Sequence, residues 1–139
     1  MTDKVQLAKQ NVEAFGKGDW AGFKAPLSED SIYAELATQR RVQGPDAIVE
    51  LSKGWRQAFP DAKGTITKAV ESGDTVVLEI TWEGTQSGPL QTPEGELPPS
   101  NRQVTVKAAE VFDVEGDKVK EAHHYFDMAG MLQQLGASG

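Results

Sequence analysis

The segment RQVTVKAAEVFDVEGDKVKEAHHYFD, residues 102–127, has the clearest secondary-structure pattern in the chain. It contains two runs rich in β-branched and aromatic residues, 102–114 and 118–126, which are typical of strands. Between them, Glu115-Gly116-Asp117 is typical of a hairpin turn, because Gly accepts positive φ angles at no steric cost. We therefore predict a long antiparallel hairpin near the C-terminal end of this sequence.

The second strand of this hairpin has an unusual distribution of polar side chains. Because side chains alternate between the two faces of a strand, every second residue after Val119 should share its face. The residues expected there are Glu121, His123, Tyr125 and Asp127. This set is too polar for a sealed core, and we expect it to line a cavity in which protons are transferred. By the same alternation His124 should point to the opposite face, and we assign it no role.

The rest of the chain is predicted to form helices first and strands later. Apolar residues recur at helical spacing in four segments: 5–15, 19–27, 45–59 and 128–135. Alternating patterns predict further strands at 31–37, 39–43, 63–70 and 75–85. Helices followed by antiparallel strands predict an α+β fold. We expect a single domain, residues 1–139, in which a curved sheet wraps around the helices as a cone-shaped barrel with a deep pocket.

Composition and charge exclude several classes of function. The 139 residues have a net charge of −7, which disfavours nucleic acid and anionic membranes as partners. The chain has no cysteine, so disulfides, thiol nucleophiles and thiolate metal sites are excluded. No apolar run approaches the ~20 residues that cross a bilayer, and the sequence does not begin with a signal-peptide core. We therefore expect a cytoplasmic protein.

A long connection separates the strands at 75–85 and 102–114. Residues 86–101 are rich in Pro and Gly. Connections longer than about 12–15 residues without secondary structure are uncommon in compact domains. The segment is therefore either a functional lid at the pocket or a loose hairpin tip.

Glu110 is a carboxylate on an otherwise apolar strand face. Its neighbours on that face are Val104, Val106, Ala108, Phe112 and Val114. Burying an unpaired carboxylate is costly, so Glu110 must be paired, protonated or directed into a pocket. It is either an acid with a raised pKa or a buried carboxylate satisfied by a hydrogen-bond donor.

Asp127 and His123 are the candidate catalytic residues. Asp127 could act as a general base, but it also precedes an apolar helical pattern, where Asp is a favoured N-cap. His123 could donate a proton, since imidazole titrates near neutrality, or it could be a half-buried packing residue. A metal site formed by Glu121, His123 and Asp127 is conceivable, but we do not expect a metal.

Aromatic side chains supply surface for a small hydrophobic or aromatic ligand, and tyrosine hydroxyls could orient it. The candidate substrate-binding residues are Tyr33, Trp55, Phe59, Trp82, Glu110 and Tyr125. The sequence contains no Gly-rich phosphate loop, dinucleotide fingerprint, nucleophile elbow or zinc-protease motif. We therefore expect chemistry without a cofactor, based on carboxylate, imidazole and phenol groups.

Five short motifs are spread over the second half of the chain. They are WEGTQSGPL at 82–90, PPSNR at 98–102, EGDKVKE at 115–121, YFD at 125–127 and QLG at 134–136. Together they resemble the SnoaL-like polyketide cyclases, within the nuclear transport factor 2-like superfamily. The layout of the N-terminal half agrees, so the resemblance covers nearly the whole chain. One departure is His123, where many relatives have Trp.

The resemblance implies a small enzyme with a cone-shaped α+β barrel. Known polyketide cyclases of this type close a ring by intramolecular aldol condensation, with an aspartate as acid/base and no cofactor. Asp127 falls at the position of that aspartate, and His123 or Tyr33 would be the proton donor. The superfamily also includes steroid isomerases, epoxide hydrolases and binding domains. A hydrolase or isomerase on the same fold and a non-catalytic binding or dimerisation module therefore stay open, and we expect a homodimer or higher homo-oligomer.

Overall fold

The computed structural model describes residues 3–137, which form helices packed on a curved main sheet and a separate small hairpin. The helices are α1 (Lys4–Lys17), α2 (Trp20–Lys24), α3 (Pro45–Ala58) and α4 (Met128–Gln134). The strands are β1 (Leu27–Glu35), β2 (Arg40–Gln43), β3 (Lys63–Ser72), β4 (Thr75–Thr85), β5 (Leu90–Thr92), β6 (Gly95–Leu97), β7 (Gln103–Glu115) and β8 (Lys118–Phe126).

The main sheet has the strand order β2-β1-β8-β7-β4-β3, and β5 pairs with β6 in the small hairpin. Its strand pairs are antiparallel except for β1 with β8, which is parallel. Helices α1 and α3 bury their apolar sides against the sheet, where Val12, Ile48, Leu78 and Phe112 are each at most 3% exposed. This arrangement confirms the predicted α+β fold with a curved, mainly antiparallel sheet.

Local sequence signals account for where the helices begin. Asp3, Asp19 and Asp127 precede α1, α2 and α4, and each carboxylate accepts a hydrogen bond from a backbone N–H three residues later. These bonds satisfy amide groups that have no partner inside the helix. Helix α3 begins at Pro45, whose missing N–H costs nothing in the first turn. Within residues 3–137 no helix is long and apolar enough to span a membrane.

A β-bulge in β8 separates its two halves. Val119 pairs with Val114, whereas Glu121 pairs with the adjacent residue on β7, Asp113. One residue, Lys120, is therefore extra on β8. An extra residue of this kind is left out of the ladder and reverses the alternation of side chains beyond it.

The bulge overturns the predicted arrangement of this strand. Beyond it, Ala122 and His124 are buried, whereas His123 and Tyr125 point to the outer face of the sheet. The prediction that Glu121, His123 and Tyr125 share the face of Val119 is therefore wrong. Alternation predicts the correct pattern only within each half of the strand, because nothing in the local sequence marks Lys120 as the extra residue.

The long connection between β4 and β7 is ordered by one buried side chain. Gln86 is 1% exposed, and its amide donates to the carbonyl oxygens of Gly88 at 3.0 Å and Pro98 at 3.1 Å. Its side-chain oxygen accepts the backbone N–H of Ser100 at 3.2 Å. Leu90, on β5, is buried in a second apolar cluster near α4. The segment thus contains a hairpin of its own, β5 and β6, which the sequence did not predict. The hydrogen bonds of Gln86 hold the first and last residues of the segment together.

Candidate active site

A cavity of about 120 Å³ lies between the helices and the main sheet. Its wall is mainly aromatic and aliphatic. A cavity of roughly 150 Å³ holds benzene, so this volume suits about one small ring. The polar side chains on the wall are Asn11, Tyr33, Glu35, Ser52, Glu110 and His124.

Glu110 projects from β7 into the middle of the cavity, opposite Leu78 on one neighbouring strand and His124 on the other. The residue is 4% exposed, and its carboxyl makes no side-chain hydrogen bond to any residue in the range 3–137. Burial, and secondarily the negative charge of Glu35, raises the pKa of Glu110 from 4.5 to about 8. Glu110 is therefore mostly a neutral acid at pH 7. Of the two readings of this residue, the structure agrees with the acid of raised pKa.

His124 enters the same cavity as a neutral imidazole. Burial lowers its pKa from 6.5 to about 4, although the negative charge of Glu35 acts in the opposite direction. The indole N–H of Trp82 lies 3.3 Å from His124 Nε2. Because an indole can only donate, Nε2 must accept, which leaves the imidazole proton on Nδ1. That N–H donates to the hydroxyl oxygen of Tyr33, 2.9 Å away.

Glu35 is the end point of this hydrogen-bonded chain. It is 1% exposed, and its Oε2 accepts the Tyr33 hydroxyl at 2.9 Å and the Trp55 indole N–H at 2.8 Å. Its Oε1 accepts the Thr38 hydroxyl at 2.6 Å and the Arg40 guanidinium at 2.7 Å. Both oxygens of Glu35 thus have hydrogen-bond donors inside the protein, as a buried carboxylate requires.

The network runs from Trp82 through His124 and Tyr33 to Glu35, with each of the first three donating to the next and Glu35 accepting. Burial together with the charge of Glu35 also raises the pKa of Tyr33 well above 10, so its hydroxyl keeps its proton. Within the described part of the chain, this leaves Glu110 as the buried titratable group of the cavity without a hydrogen-bond partner.

Asn11 is a second polar group that faces the cavity from α1. Its amide nitrogen donates to the carbonyl oxygen of Phe23 at 3.5 Å, which is a long contact. An amide has two N–H groups, so one is available to a bound molecule. The sequence prediction did not include Asn11. A polar residue in an apolar helical stripe with Ala8, Val12 and Phe15 nevertheless indicates a buried or pocket-facing amide.

The predicted site residues divide into two groups. Those found on the cavity wall are Tyr33, Trp55, Phe59, Trp82 and Glu110. Tyr125 is 46% exposed and lies outside it. His123 also lies on the outer face, where its Nε2 contacts the Glu121 carboxylate. His124, to which the sequence assigned no role, takes the interior position expected of His123, because of the β8 bulge.

Asp127 is exposed and is absent from the cavity wall. Its carboxylate accepts the backbone N–H of Gly130 at 2.8 Å and so caps α4. The structure therefore agrees with the capping interpretation, while a catalytic role of Asp127 stays a prediction. Among residues 3–137 no three His, Asp or Glu side chains are grouped closely enough to hold a metal ion.

Comparison with solved structures places this architecture among known proteins. AclR from Streptomyces galilaeus, a candidate hydroxylase, is 24% identical, with a TM-score of 0.82 over 97% of this chain and 82% of that one. A candidate SnoaL-like polyketide cyclase from Jannaschia sp. CCS1 is 17% identical, with a TM-score of 0.86 over 98% and 93%. IdmH from Streptomyces antibioticus, a candidate polyketide cyclase, is 20% identical, with a TM-score of 0.82 over 96% and 99%. At these identities the likeness concerns the fold.

The sequence comparison identifies the family. No curated protein matches the chain at a significant level. The family model described as SnoaL-like polyketide cyclase, however, matches residues 5–135. The match covers all the strands of the main sheet and every residue on the cavity wall. The chain belongs to the SnoaL-like polyketide cyclase family.

Proposed function

We propose that this protein is a cofactor-independent acid–base enzyme that acts on a small carbonyl compound, with intramolecular aldol ring closure as the leading reaction. The observation that supports this proposal is the Glu110 carboxyl, which is buried in an apolar cavity without a hydrogen-bond partner in the described chain. Membership of the family supports the reaction class. The cavity volume favours substrates of about one ring.

Glu110 is the proposed general base. An ordinary carboxylate is a weak base, whereas a pKa of about 8 makes the ionised form of Glu110 far stronger. At pH 7 about a tenth of the molecules hold that form. Its target is a C–H bond acidified by flanking carbonyl groups, because the resulting negative charge then spreads over the substrate as an enolate.

The ring closure needs no other reactant. The ionised Glu110 takes the proton, and the C–H electron pair becomes the enolate. The enolate carbon then bonds to a second carbonyl carbon, whose C–O π pair moves to oxygen as an alkoxide. The neutral Glu110 returns its proton to that alkoxide and becomes a carboxylate again. The sequence of steps is redox-neutral and regenerates the base.

Two other groups on the wall have proposed positioning roles. The second N–H of Asn11 would hold a substrate carbonyl oxygen and stabilise the enolate in the mainly apolar cavity. The Trp82–His124–Tyr33–Glu35 network would keep the opposite wall rigid, because each of its donors already has an acceptor. Such fixed polar groups do not need to reorganise during the reaction.

Asp127 is the competing base, proposed from the resemblance to the family. The pH profile of the rate tests the assignment to Glu110. With Glu110 as base, the rate rises about tenfold per pH unit up to about 8 and then levels off. An exchange rate that does not change between pH 6 and 8 would argue against Glu110 as the base.

The test is deuterium incorporation from D₂O into small cyclic and open-chain β-keto esters, followed by NMR. Wild type, Glu110→Gln and Asp127→Asn are compared, with Tyr125→Phe on the outer face as a matched control. We expect exchange with wild type, Asp127→Asn and Tyr125→Phe, and its loss with folded Glu110→Gln. Loss with Asp127→Asn alone would transfer the role of base to Asp127. Absence of exchange with every folded protein would contradict the carbon-acid proposal.

The oligomeric state and the location of the protein are also proposed. We keep the prediction of a homodimer or higher homo-oligomer in the cytoplasm. The outer surface offers large apolar side chains for such an interface, since Val70 and Tyr125 are each 46% exposed. Size-exclusion chromatography with light scattering measures the mass directly, and a monomer at all protein concentrations would contradict the prediction.

A further inference from the structure

We propose that the cavity is a charge-selective binding site, which accepts a small apolar ammonium ion with Glu110 as its counter-ion and rejects carboxylates of the same size. The inference uses the cavity of the proposed function but does not require turnover. Binding and exchange can therefore fail separately.

The charges on the cavity wall have one sign. Glu35 and Glu110 line the cavity, and no Lys or Arg does among the described residues. Arg40 is the partner of Glu35 on the far side of the network and is held there by Oε1. A carboxylate ligand would therefore enter an apolar space with no cation to meet it, which is strongly unfavourable. An ammonium ion would meet Glu110, which has no other partner there.

The aromatic wall favours the same ligand. Rings that line the cavity include those of Phe15, Tyr33, Trp55, Phe59, Trp82 and Phe126. The faces of aromatic rings are electron-rich and attract cations within about 6 Å. A protonated amine attached to a small apolar group would thus gain from the rings and from burial of its hydrocarbon part. A carboxylate would gain only from the latter.

Binding of an ammonium ion should release a proton from the protein, and this release can be measured. Glu110 is mostly neutral in the empty cavity because burial raises its pKa to about 8. A bound ammonium ion supplies the positive counter-charge that stabilises the ionised form of Glu110. Glu110 then releases its proton to solvent, while the ligand keeps its own. No covalent bond of the ligand changes, and one proton leaves for each ammonium ion bound.

The groups that face Glu110 are not expected to be the source of the released proton. Tyr33 and Glu35 face it from β1 and His124 from β8. Burial holds His124 neutral, with a pKa near 4, and raises that of Tyr33 above its ordinary range, so neither titrates near pH 7. Helices α1 and α3 contribute no titratable group to the wall, since their polar members there are Asn11 and Ser52, with the indole of Trp55. Glu83, on β4, is exposed and points to the outer face of the sheet, away from Glu110.

The experiment is isothermal titration calorimetry with three probes that each contain one ring: benzylamine, benzyl alcohol and benzoate. At about pH 6.5, where Glu110 is protonated, titrations in two buffers of different ionisation enthalpy measure the protons released. We expect benzylamine to bind with release of about one proton and benzyl alcohol to bind with none. Benzoate should bind at least about tenfold more weakly than benzylamine.

The matched variants are Glu110→Gln, which keeps the shape of the side chain, and Tyr125→Phe on the outer face. In Glu110→Gln, benzylamine should bind about tenfold or more weakly with no proton release, while benzyl alcohol binding stays unchanged and shows that the cavity is intact. Tyr125→Phe should match wild type. Equal binding of benzoate, proton release that persists in Glu110→Gln, or no binding of benzylamine to wild type would each overturn the inference. None of these outcomes would bear on deuterium exchange into the keto esters.

Discussion

Glu110 and His124 lie directly opposite each other in the β7–β8 pair, with both side chains in the cavity. An acid and an imidazole in such a position often form an ion pair. Here burial raises the pKa of Glu110 to about 8 and lowers that of His124 to about 4. A proton transfer between them would create two charges in an apolar space and would oppose both shifts. They are therefore two neutral neighbours near pH 7, and only one of them has unused hydrogen-bonding capacity.

The first prediction concerns the dependence of stability on pH. Glu110 has a raised pKa in the folded state, so between pH 4.5 and about 8 the unfolded chain has lost a proton that the folded chain retains. Its contribution is fully present below pH 4.5 and is lost as the pH rises, by up to about 1.4 kcal/mol per pH unit. Glu110→Gln should remove this loss and be more stable than wild type at pH 8. Urea unfolding at several pH values measures it.

The exposed Glu13, on α1, provides the control. Glu13→Gln should follow the wild-type profile, because an exposed carboxylate has nearly the same surroundings in both states. If Glu110→Gln showed the same decline between pH 5 and 8 as wild type, the neutral form of Glu110 in the cavity would be excluded.

The second prediction concerns the protonation state of His124. Because its pKa is lowered to about 4 in the folded state, it should stay neutral from pH 8 to pH 5 with the proton on Nδ1. Its contribution to stability is present above pH 6.5 and is lost as the pH falls towards 4, because the unfolded chain binds the proton first. Nitrogen-15 NMR of the imidazole distinguishes the two tautomers, and His123→Gln assigns the signals. A proton on Nε2, or titration near pH 6.5, would contradict the network.

The third prediction concerns the charge at the end of the network. Glu35→Gln should destabilise the protein by about 2–4 kcal/mol, because Arg40 loses its buried partner while part of its guanidinium stays in contact with solvent. The same change should lower the pKa of Glu110, which the charge of Glu35 helps to raise. Urea unfolding and the pH profile of deuterium exchange measure the two effects.

Arg41→Gln is the comparison for that variant, since Arg41 lies 3.8 Å from Glu121 on the outer surface. Surface pairs of this kind contribute less than about 1 kcal/mol. Equal losses of stability in Glu35→Gln and Arg41→Gln would show that Glu35 does not organise the cavity wall.

The fourth prediction concerns the long connection. Gln86→Ala leaves the carbonyl oxygens of Gly88 and Pro98 without their donor and should cost about 1–3 kcal/mol. We expect faster proteolytic cleavage between β4 and β7, because the two ends of the connection are no longer joined by the hydrogen bonds of Gln86. Glu94→Ala, which removes an exposed side chain in the turn between β5 and β6, should leave cleavage unchanged. Equal cleavage of all three proteins would refute the fastening role of Gln86.

Most of the fold could be predicted because its signals are local. The alternation along β7, the turn at Glu115-Gly116-Asp117, and the N-caps at Asp19 and Asp127 each depend on a few neighbouring residues. The inward position of Glu110 followed from the same alternation and is observed. The hairpin of β5 and β6 was missed because its strands have three residues each, too few for a periodic pattern.

The candidate site was predicted less well, because its residues meet through pairing between distant segments. Local sequence patterns were sufficient to predict the α+β fold, the apolar surroundings of Glu110 and the cap at Asp127, because period-two patterns and capping preferences act within one element. The entry of His124 rather than His123 into the cavity depends on tertiary pairing, because a bulge is defined by the register of β8 against β7. Likewise, only the approach of β1, α3, β4 and β8 joins Glu35 to Trp55, Tyr33, His124 and Trp82. The members of that network bond to one another, and Glu110 is itself buried. Glu110 is therefore a neutral acid that has no hydrogen-bond partner in the cavity among the described residues.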